Sequence, residues 1–164
     1  MCKGLSSLPS SCLEKAKVMR VKLSHLSDKQ DWAHHKQKTL DEKVLQDLES
    51  LLNSKSGLQV FRWFLRSEFS EENLEFWLAC EEYRLSPSHV QKAKASSIYS
   101  QFICPDAPQE VNLDAETREA LLSVMDRPSV DTFTPAQQTI YSLMAKDSFP
   151  RFLRSPHRIE ATKA

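Results

Sequence analysis

The chain has 164 residues, with 22 Lys and Arg against 22 Asp and Glu, so it lacks the net basic charge typical of a nucleic-acid-binding protein. Its two glycines, Gly4 and Gly57, are too few for glycine-rich phosphate loops or turn-rich β architectures. No apolar run approaches the roughly 20 residues that a membrane-spanning helix needs.

Residues 12–26 have the pattern of a basic amphipathic helix. At about 100° per residue, apolar side chains fall on one face and cations flank that face on both sides. We expect such a helix to lie in the interface of a membrane with anionic lipids. The alternatives are a helix that packs on the domain, or a disordered tail. The apolar face comprises Cys12, Ala16, Met19, Leu23 and Leu26, and the flanking cations are Lys15, Lys17, Arg20 and Lys22.

The four cysteines are Cys2, Cys12, Cys80 and Cys104. Residues 1–26 contain no continuous apolar segment of the kind that a secretory signal needs, so we expect reduced, cytosolic thiols. The spacing contains no C-x-x-C pair. This spacing predicts no zinc site. We also expect no other metal and no cofactor.

The next segment, residues 27–40, is polar and aperiodic, which is typical of a linker. We expect residues 1–40 to form a membrane-targeting helix and linker, residues 41–155 to form one domain with its own core, and residues 156–164 to form a short tail.

From Asp41 onward, apolar residues recur with a helical period, and no alternating run is long enough for a sheet. The pattern predicts an all-α fold with an aromatic core. Thr134 is a predicted N-cap, followed by Pro135 at the first helical position and by Gln137. The predicted helices begin at Asp41, cover Gly57–Arg66, Ser70–Arg84 and Ser86–Phe102, begin at Asp114 and Thr134, and end with Asp147–Arg154.

The predicted helix at residues 70–84 starts with one unusual polar residue. Ser70 suits the N-cap, and the acidic Glu71 and Glu72 suit the positive end of the helix dipole. At the third helical position a capping box uses Glu or Gln, whereas this chain has Asn73. Because asparagine is a mediocre helix residue, we predict that the helix presents this amide to a partner.

Polar residues also collect at two later junctions between helices. Each set alone has another explanation, as helix caps, turns and surface charge. The second junction contains Glu110, Asn112 and Asp114, and the third contains Asp147, Ser148 and Arg151.

Cys80 is a candidate nucleophile. It lies on the same helical stripe as Phe76 and Trp77, so we expect a buried, unreactive thiol. The alternative is a hydrolytic enzyme that pairs Cys80 with a histidine, although no histidine is near it in sequence.

Three segments read E-F-S-E-E-N-L-E-F-W-L-A-C-E-E-Y at 68–83, E-V-N-L-D at 110–114 and L-M-A-K-D-S-F-P-R-F-L at 143–153. In this order they resemble the signature of the RGS domain, found in the regulators of G-protein signalling. The resemblance covers about residues 41–155. The first 17 residues, M-C-K-G-L-S-S-L-P-S-S-C-L-E-K-A-K, resemble the amino terminus of small, single-domain RGS proteins.

The resemblance implies a bundle of about nine helices. It also implies a GTPase activator, without catalysis of its own, for heterotrimeric Gα subunits of the Gi/o and Gq classes. Because Gα holds its catalytic arginine in cis, the activator would bind the mobile switch regions in their GTP or transition-state form. Asn73 would contact the glutamine that orients the attacking water. The implied Gα-contacting residues are Glu68, Phe69, Ser70, Glu72, Asn73, Glu110, Asn112, Leu143, Asp147, Ser148 and Arg151.

At the amino terminus, Cys2 and Cys12 match palmitoylation positions of the family. Together with the basic helix, they imply a protein that is cytoplasmic and peripheral on the inner face of the plasma membrane. We expect a monomer, and the balanced charge predicts that nucleic acid is not a partner. The alternative is an RGS-like scaffold that binds partners without activating hydrolysis. Such scaffolds tend to lose the asparagine and the switch contacts.

Overall fold

The structure is a computed structural model and describes residues 47–158. The predicted membrane helix, the linker, the helix start at Asp41 and the acylation candidates Cys2 and Cys12 lie outside the described residues. The domain boundaries predicted at residues 40 and 155 stay predictions.

Every regular element within residues 47–158 is a helix, which confirms the predicted all-α class. Helical residues 47–53 precede six α-helices. A π-helical turn, Tyr99–Ile103, continues the third of them, and a second, Met144–Ser148, joins the last two. None of these helices is long and apolar enough to cross a membrane. The six are α1 Lys55–Ser67, α2 Glu72–Arg84, α3 Ser88–Ile98, α4 Ala115–Val124, α5 Thr134–Leu143 and α6 Phe149–Arg154.

Aromatic rings join the ends of the domain into one core. Phe61 of α1 meets Phe152 of α6 edge to face, with ring centroids 5.3 Å apart. Phe76 of α2 meets Phe102 at 5.6 Å in the same manner. Such pairs contribute about 0.5–1.5 kcal/mol beyond their burial. The core therefore holds α1 and α6 together, which matters because the candidate site draws on both helices.

The start of α5 differs from the predicted capping box. Phe133, not Thr134, holds the N-cap position, so Pro135 is the second helical residue and not, as was predicted, the first. The side chain of Gln137 does not turn back to the cap. Its amide nitrogen donates to the carbonyl of Trp77 at 3.2 Å and to the carboxylate of Glu81 at 2.7 Å. Gln137 therefore ties α5 to α2, and this buried polar contact outweighs the local cap.

Candidate functional site

The first of the three junctions begins where α1 ends in a Schellman motif. The amide of Ser70 donates to the carbonyl of Leu65 at 3.0 Å, and the amide of Phe69 donates to Arg66 at 3.2 Å. Phe69 has φ 56°, the left-handed conformation that glycine usually supplies here, and the residue is 92% exposed. Such strain is typical of functional surfaces.

The prediction that Ser70 caps α2 is wrong. Glu71 holds the N-cap position and makes no side-chain capping bond. The hydroxyl of Ser70 donates instead to the Leu65 carbonyl at 3.5 Å. Because the amide of Ser70 closes α1, the next helix begins two residues later, at Glu72.

Asn73 is the second residue of α2, not the third as predicted. It is only 8% exposed, and its side-chain amide makes no hydrogen bond to any residue that the structure describes. The amide nitrogen and oxygen still reach solvent, so neither is a buried polar atom without a partner. The fold thus holds a largely buried side chain on the first turn of a helix, with the hydrogen-bonding groups of its amide free to contact another molecule.

The two glutamates before Asn73 differ in their partners. Glu71 pairs with Arg66, whose Nε lies 2.9 Å from its Oε2. Glu72 is half-buried and forms no ion pair with any residue between 47 and 158. The first turn of α2 therefore carries one uncommitted carboxylate beside one uncommitted amide.

The second junction is the loop before α4, and its side chains alternate between inside and outside. Val111 and Leu113 are 1% and 7% exposed, whereas Asn112 between them is exposed. The amide of Val111 donates to the carbonyl of Phe102 at 2.9 Å, which fastens the loop to the π-helical turn. Two buried anchors thus project Asn112 to the surface, as its predicted role requires.

Asp114 caps α4, as predicted. Its carboxylate accepts a hydrogen bond from the amide of Thr117 at 2.6 Å. This bond to a backbone amide holds the pKa of Asp114 below its ordinary value. The role of Asp114 is therefore to fix the exit of the Asn112 loop.

A cavity of about 430 Å³ joins the first junction to the second. It is bounded on one side by the end of α1 and the start of α2, and on the other by the loop before α4. The two predicted sets of residues therefore border one concave surface. The lining residues are Arg66, Phe69, Glu71, Glu72, Pro108, Gln109 and Glu110.

An ion pair joins the third junction to the first. Nε and Nη2 of Arg151 donate to Oε1 and Oε2 of Glu68 at 3.0 and 2.9 Å, across 83 residues of sequence. Nη1 of Arg151 also donates to Asp147, four residues earlier and so on the same helical face. The hydrogen bonds to Glu68, and then those to Asp147, raise the pKa of Arg151 above its already high ordinary value. The guanidinium stays charged and is held in place.

The remaining predicted residues of the third junction are less accessible. Ser148 is only 3% exposed, in the π-helical turn, and Leu143 is half-buried at the end of α5. The predicted last helix, Asp147–Arg154, is in fact α6 with the preceding turn, so Asp147 lies on a continuous helical path from α5.

Sequence reasoning missed Arg118 of α4. Its guanidinium donates to the carboxylate of Glu110 and to the carbonyls of Val111 and Leu113. The separations in sequence are five to eight residues, with an irregular loop between the partners. No helical spacing signals such contacts, so the sequence pattern could not reveal them.

Cys80 is not a suitable nucleophile. It is 2% exposed, and burial, together with the nearby charge of Glu81, raises the pKa of its thiol. The thiol therefore stays protonated and inaccessible, as the sequence predicted. Within residues 47–158, no three His, Cys, Asp or Glu side chains are grouped as metal ligands would be.

The geometry agrees with the similarity to known proteins. The family model described as the regulator of G protein signaling domain matches residues 47–157, which is more than half of the chain. This chain belongs to the RGS family. It is therefore a regulator of G-protein signalling with a domain of the type that binds Gα subunits.

Individual relatives match over nearly the whole RGS chain. Regulator of G-protein signaling 5 from Sus scrofa is 46% identical over 173 residues, covering 94% of this chain and 96% of the relative. The protein of the same name from Mus musculus is 44% identical, and the match covers 99% of this chain and 100% of the relative. Regulator of G-protein signaling 16 from Mus musculus is 42% identical, and the match covers 95% of this chain and 87% of the relative. These relatives agree with the predicted small, single-domain type of RGS protein.

Proposed function

We propose that the chain is a GTPase-activating protein for heterotrimeric Gα subunits of the Gi/o and Gq classes. It binds the switch regions in their transition-state form and so terminates signalling by G-protein-coupled receptors. The chain supplies no catalytic group of its own and acts as a monomer.

The observation that carries this proposal is the position of Asn73: the residue is largely buried, its amide makes no hydrogen bond to the described residues, and the polar atoms of that amide reach the surface. Gα already holds its arginine, its Mg²⁺ and the glutamine that orients the attacking water. What remains for an activator is to favour the arrangement in which that glutamine is in place. The Asn73 amide donates and accepts, so it holds the glutamine side chain in position. Glu72 beside it offers a carboxylate to the backbone amides of a switch region.

The rest of the surface favours binding of one rigid shape. The Glu68–Arg151 pair ties α1 to α6, and two buried side chains anchor the loop that carries Asn112. A preorganised surface loses little entropy on binding. Contacts stronger in the transition state than in the ground state lower the barrier, at about 1.4 kcal/mol for each tenfold acceleration. A few polar contacts to the switches supply energies of this size.

Binding selectivity tests this function against the scaffold alternative. Gαi with GDP and aluminium fluoride mimics the transition state, and the same Gαi with GDP alone is the matched control. We expect the full chain to bind the first about 100-fold or more tightly than the second, as measured by calorimetry or surface-immobilised titration. Equal affinity for both states would instead identify a scaffold.

We also propose that the chain acts at the inner face of the plasma membrane. The support is the basic amphipathic pattern of residues 12–26 and the position of Cys12 on its apolar face. One acyl chain anchors a protein only marginally, so the helix, its cations and palmitoylation of Cys2 and Cys12 act together. Anchoring brings the RGS domain to membrane-bound Gα.

A further inference from the structure

We infer that Arg118 is a positioning residue for Gα binding: it fixes Asn112 in its binding conformation without contacting the partner. The inference rests on the proposed function. It concerns a residue of α4 that lies behind the loop and outside every predicted contact set.

Asn112 occupies the apex of a tight turn. The amide of Leu113 donates to the carbonyl of Val111 at 3.1 Å, which closes a three-residue γ-turn around Asn112. The side chains of Val111 and Leu113 are buried in the core. The turn therefore points Asn112 outward while its neighbours point inward.

Arg118 holds this turn from both sides. Its Nη2 donates to the carbonyl of Val111 and its Nε to the carbonyl of Leu113, each at 3.3 Å. Its Nη1 donates to Oε1 of Glu110 at 2.5 Å. One guanidinium thus binds the residues directly before and after Asn112, and also the side chain of Glu110.

The loop is bonded to the π-helical turn through the amide of Val111, but no backbone amide of the described residues donates to the carbonyl of Leu113. Carbonyl groups next to buried side chains must still find hydrogen-bond donors. The Arg118 side chain is only 22% exposed, so it serves the protein interior more than solvent. Without it, the carbonyl of Leu113 would lose its donor and the carbonyl of Val111 would keep only the amide of Leu113, so the turn would lose rigidity.

A lysine cannot replace this arrangement. Arg118 uses three nitrogens in a fixed plane to reach three acceptors, whereas an ammonium group is a single point on a flexible stem. Arg118→Lys keeps the charge and can keep the pair with Glu110, but it releases at least one carbonyl. Arg127→Lys, at an exposed arginine just after α4, is the matched control.

The test is a double-mutant cycle between Arg118→Lys and Asn112→Ala, read as affinity for Gαi with GDP and aluminium fluoride. We expect Arg118→Lys to weaken binding about 5- to 10-fold, the cost of ordering one loop side chain on association. Because Arg118 acts through Asn112, the double variant should bind no more weakly than Asn112→Ala alone. Arg127→Lys should bind like the wild type.

Hydrogen exchange provides a readout that does not depend on Gα. In Arg118→Lys, the amides of residues 111 and 113 should exchange faster while the melting temperature changes little. Unchanged exchange, or additive losses in the binding cycle, would overturn the role of Arg118 and leave the proposed function intact. A wild-type chain that does not bind the aluminium fluoride form would overturn the proposed function, and the role of Arg118 with it.

Discussion

At the scale of single residues, Phe69 combines backbone strain with exposure. A non-glycine residue in the left-handed conformation costs about 1–2 kcal/mol. A ring that is 92% exposed recovers little of this cost by burial within the domain. Stability alone would favour glycine at this helix end. The aromatic side chain is therefore better explained by binding than by folding.

Substitution of Phe69 separates stability from binding. Phe69→Gly removes the strain, whereas Phe69→Ala keeps it, and both remove the ring. We expect the glycine variant to be more stable than the alanine variant by about 1 kcal/mol, measured by denaturant unfolding. Both variants should bind Gαi with GDP and aluminium fluoride more weakly than the wild type. A glycine variant less stable than the alanine variant would refute the strain argument.

Residue roles were predictable only where a local rule applies. Asn73 was noticeable because asparagine is a poor helix residue, and the pair of Asp147 and Arg151 follows from helical spacing. Ser70 was misassigned because a Schellman motif without glycine has no sequence signal. The hydrogen bonds of Arg118 depend on the path of an irregular loop, and no periodicity in the sequence predicts that path.

At the scale of helices and turns, periodicity located the helices and missed their irregular ends. The predicted helix Gly57–Arg66 is extended at both ends in α1, Lys55–Ser67. The π-helical turns Tyr99–Ile103 and Met144–Ser148 were not predicted. They depart from the period of 3.6 for only five residues each, too few to alter an apolar pattern.

The proposed membrane helix is the element that an experiment can test most simply. Reversing its four cations to Glu should release the full chain from anionic vesicles, because each basic residue contributes about 1 kcal/mol near such a surface. Co-sedimentation at low salt measures the binding. A control with four exposed cations of the domain reversed should stay bound. The two sets are Lys15, Lys17, Arg20 and Lys22 in the helix, and Lys55, Lys92, Arg127 and Lys146 in the domain.

Comparison with this control separates the effect of local charge from that of net charge, since both variants change the net charge of the protein by the same amount. Vesicle binding by the helix variant equal to that of the wild type would refute the role of the basic face. If both variants lost binding equally, the location of the membrane-binding charge in residues 12–26 would be refuted.

At the scale of the whole molecule, the site exists only because distant segments meet. Glu68 and Arg151 are 83 residues apart in sequence and bonded in space. The cavity of about 430 Å³ joins the start of α2 to the loop before α4. Helical periodicity predicts neither meeting, since it describes each helix by itself. Only the resemblance to a family placed the three junctions on one surface.

The central claim is that Asn73 acts on the active site of another protein, and single-turnover GTP hydrolysis by Gαi tests it most directly. The wild-type chain should accelerate hydrolysis, and so should Asn53→Ala, which alters an exposed asparagine outside the three junctions. Asn73→Ala should lose at least about tenfold of the acceleration, in line with the loss of a polar contact made in the transition state. Its far-UV circular dichroism should stay that of the wild type. A folded Asn73→Ala variant that accelerates hydrolysis as well as the wild type would contradict the claim.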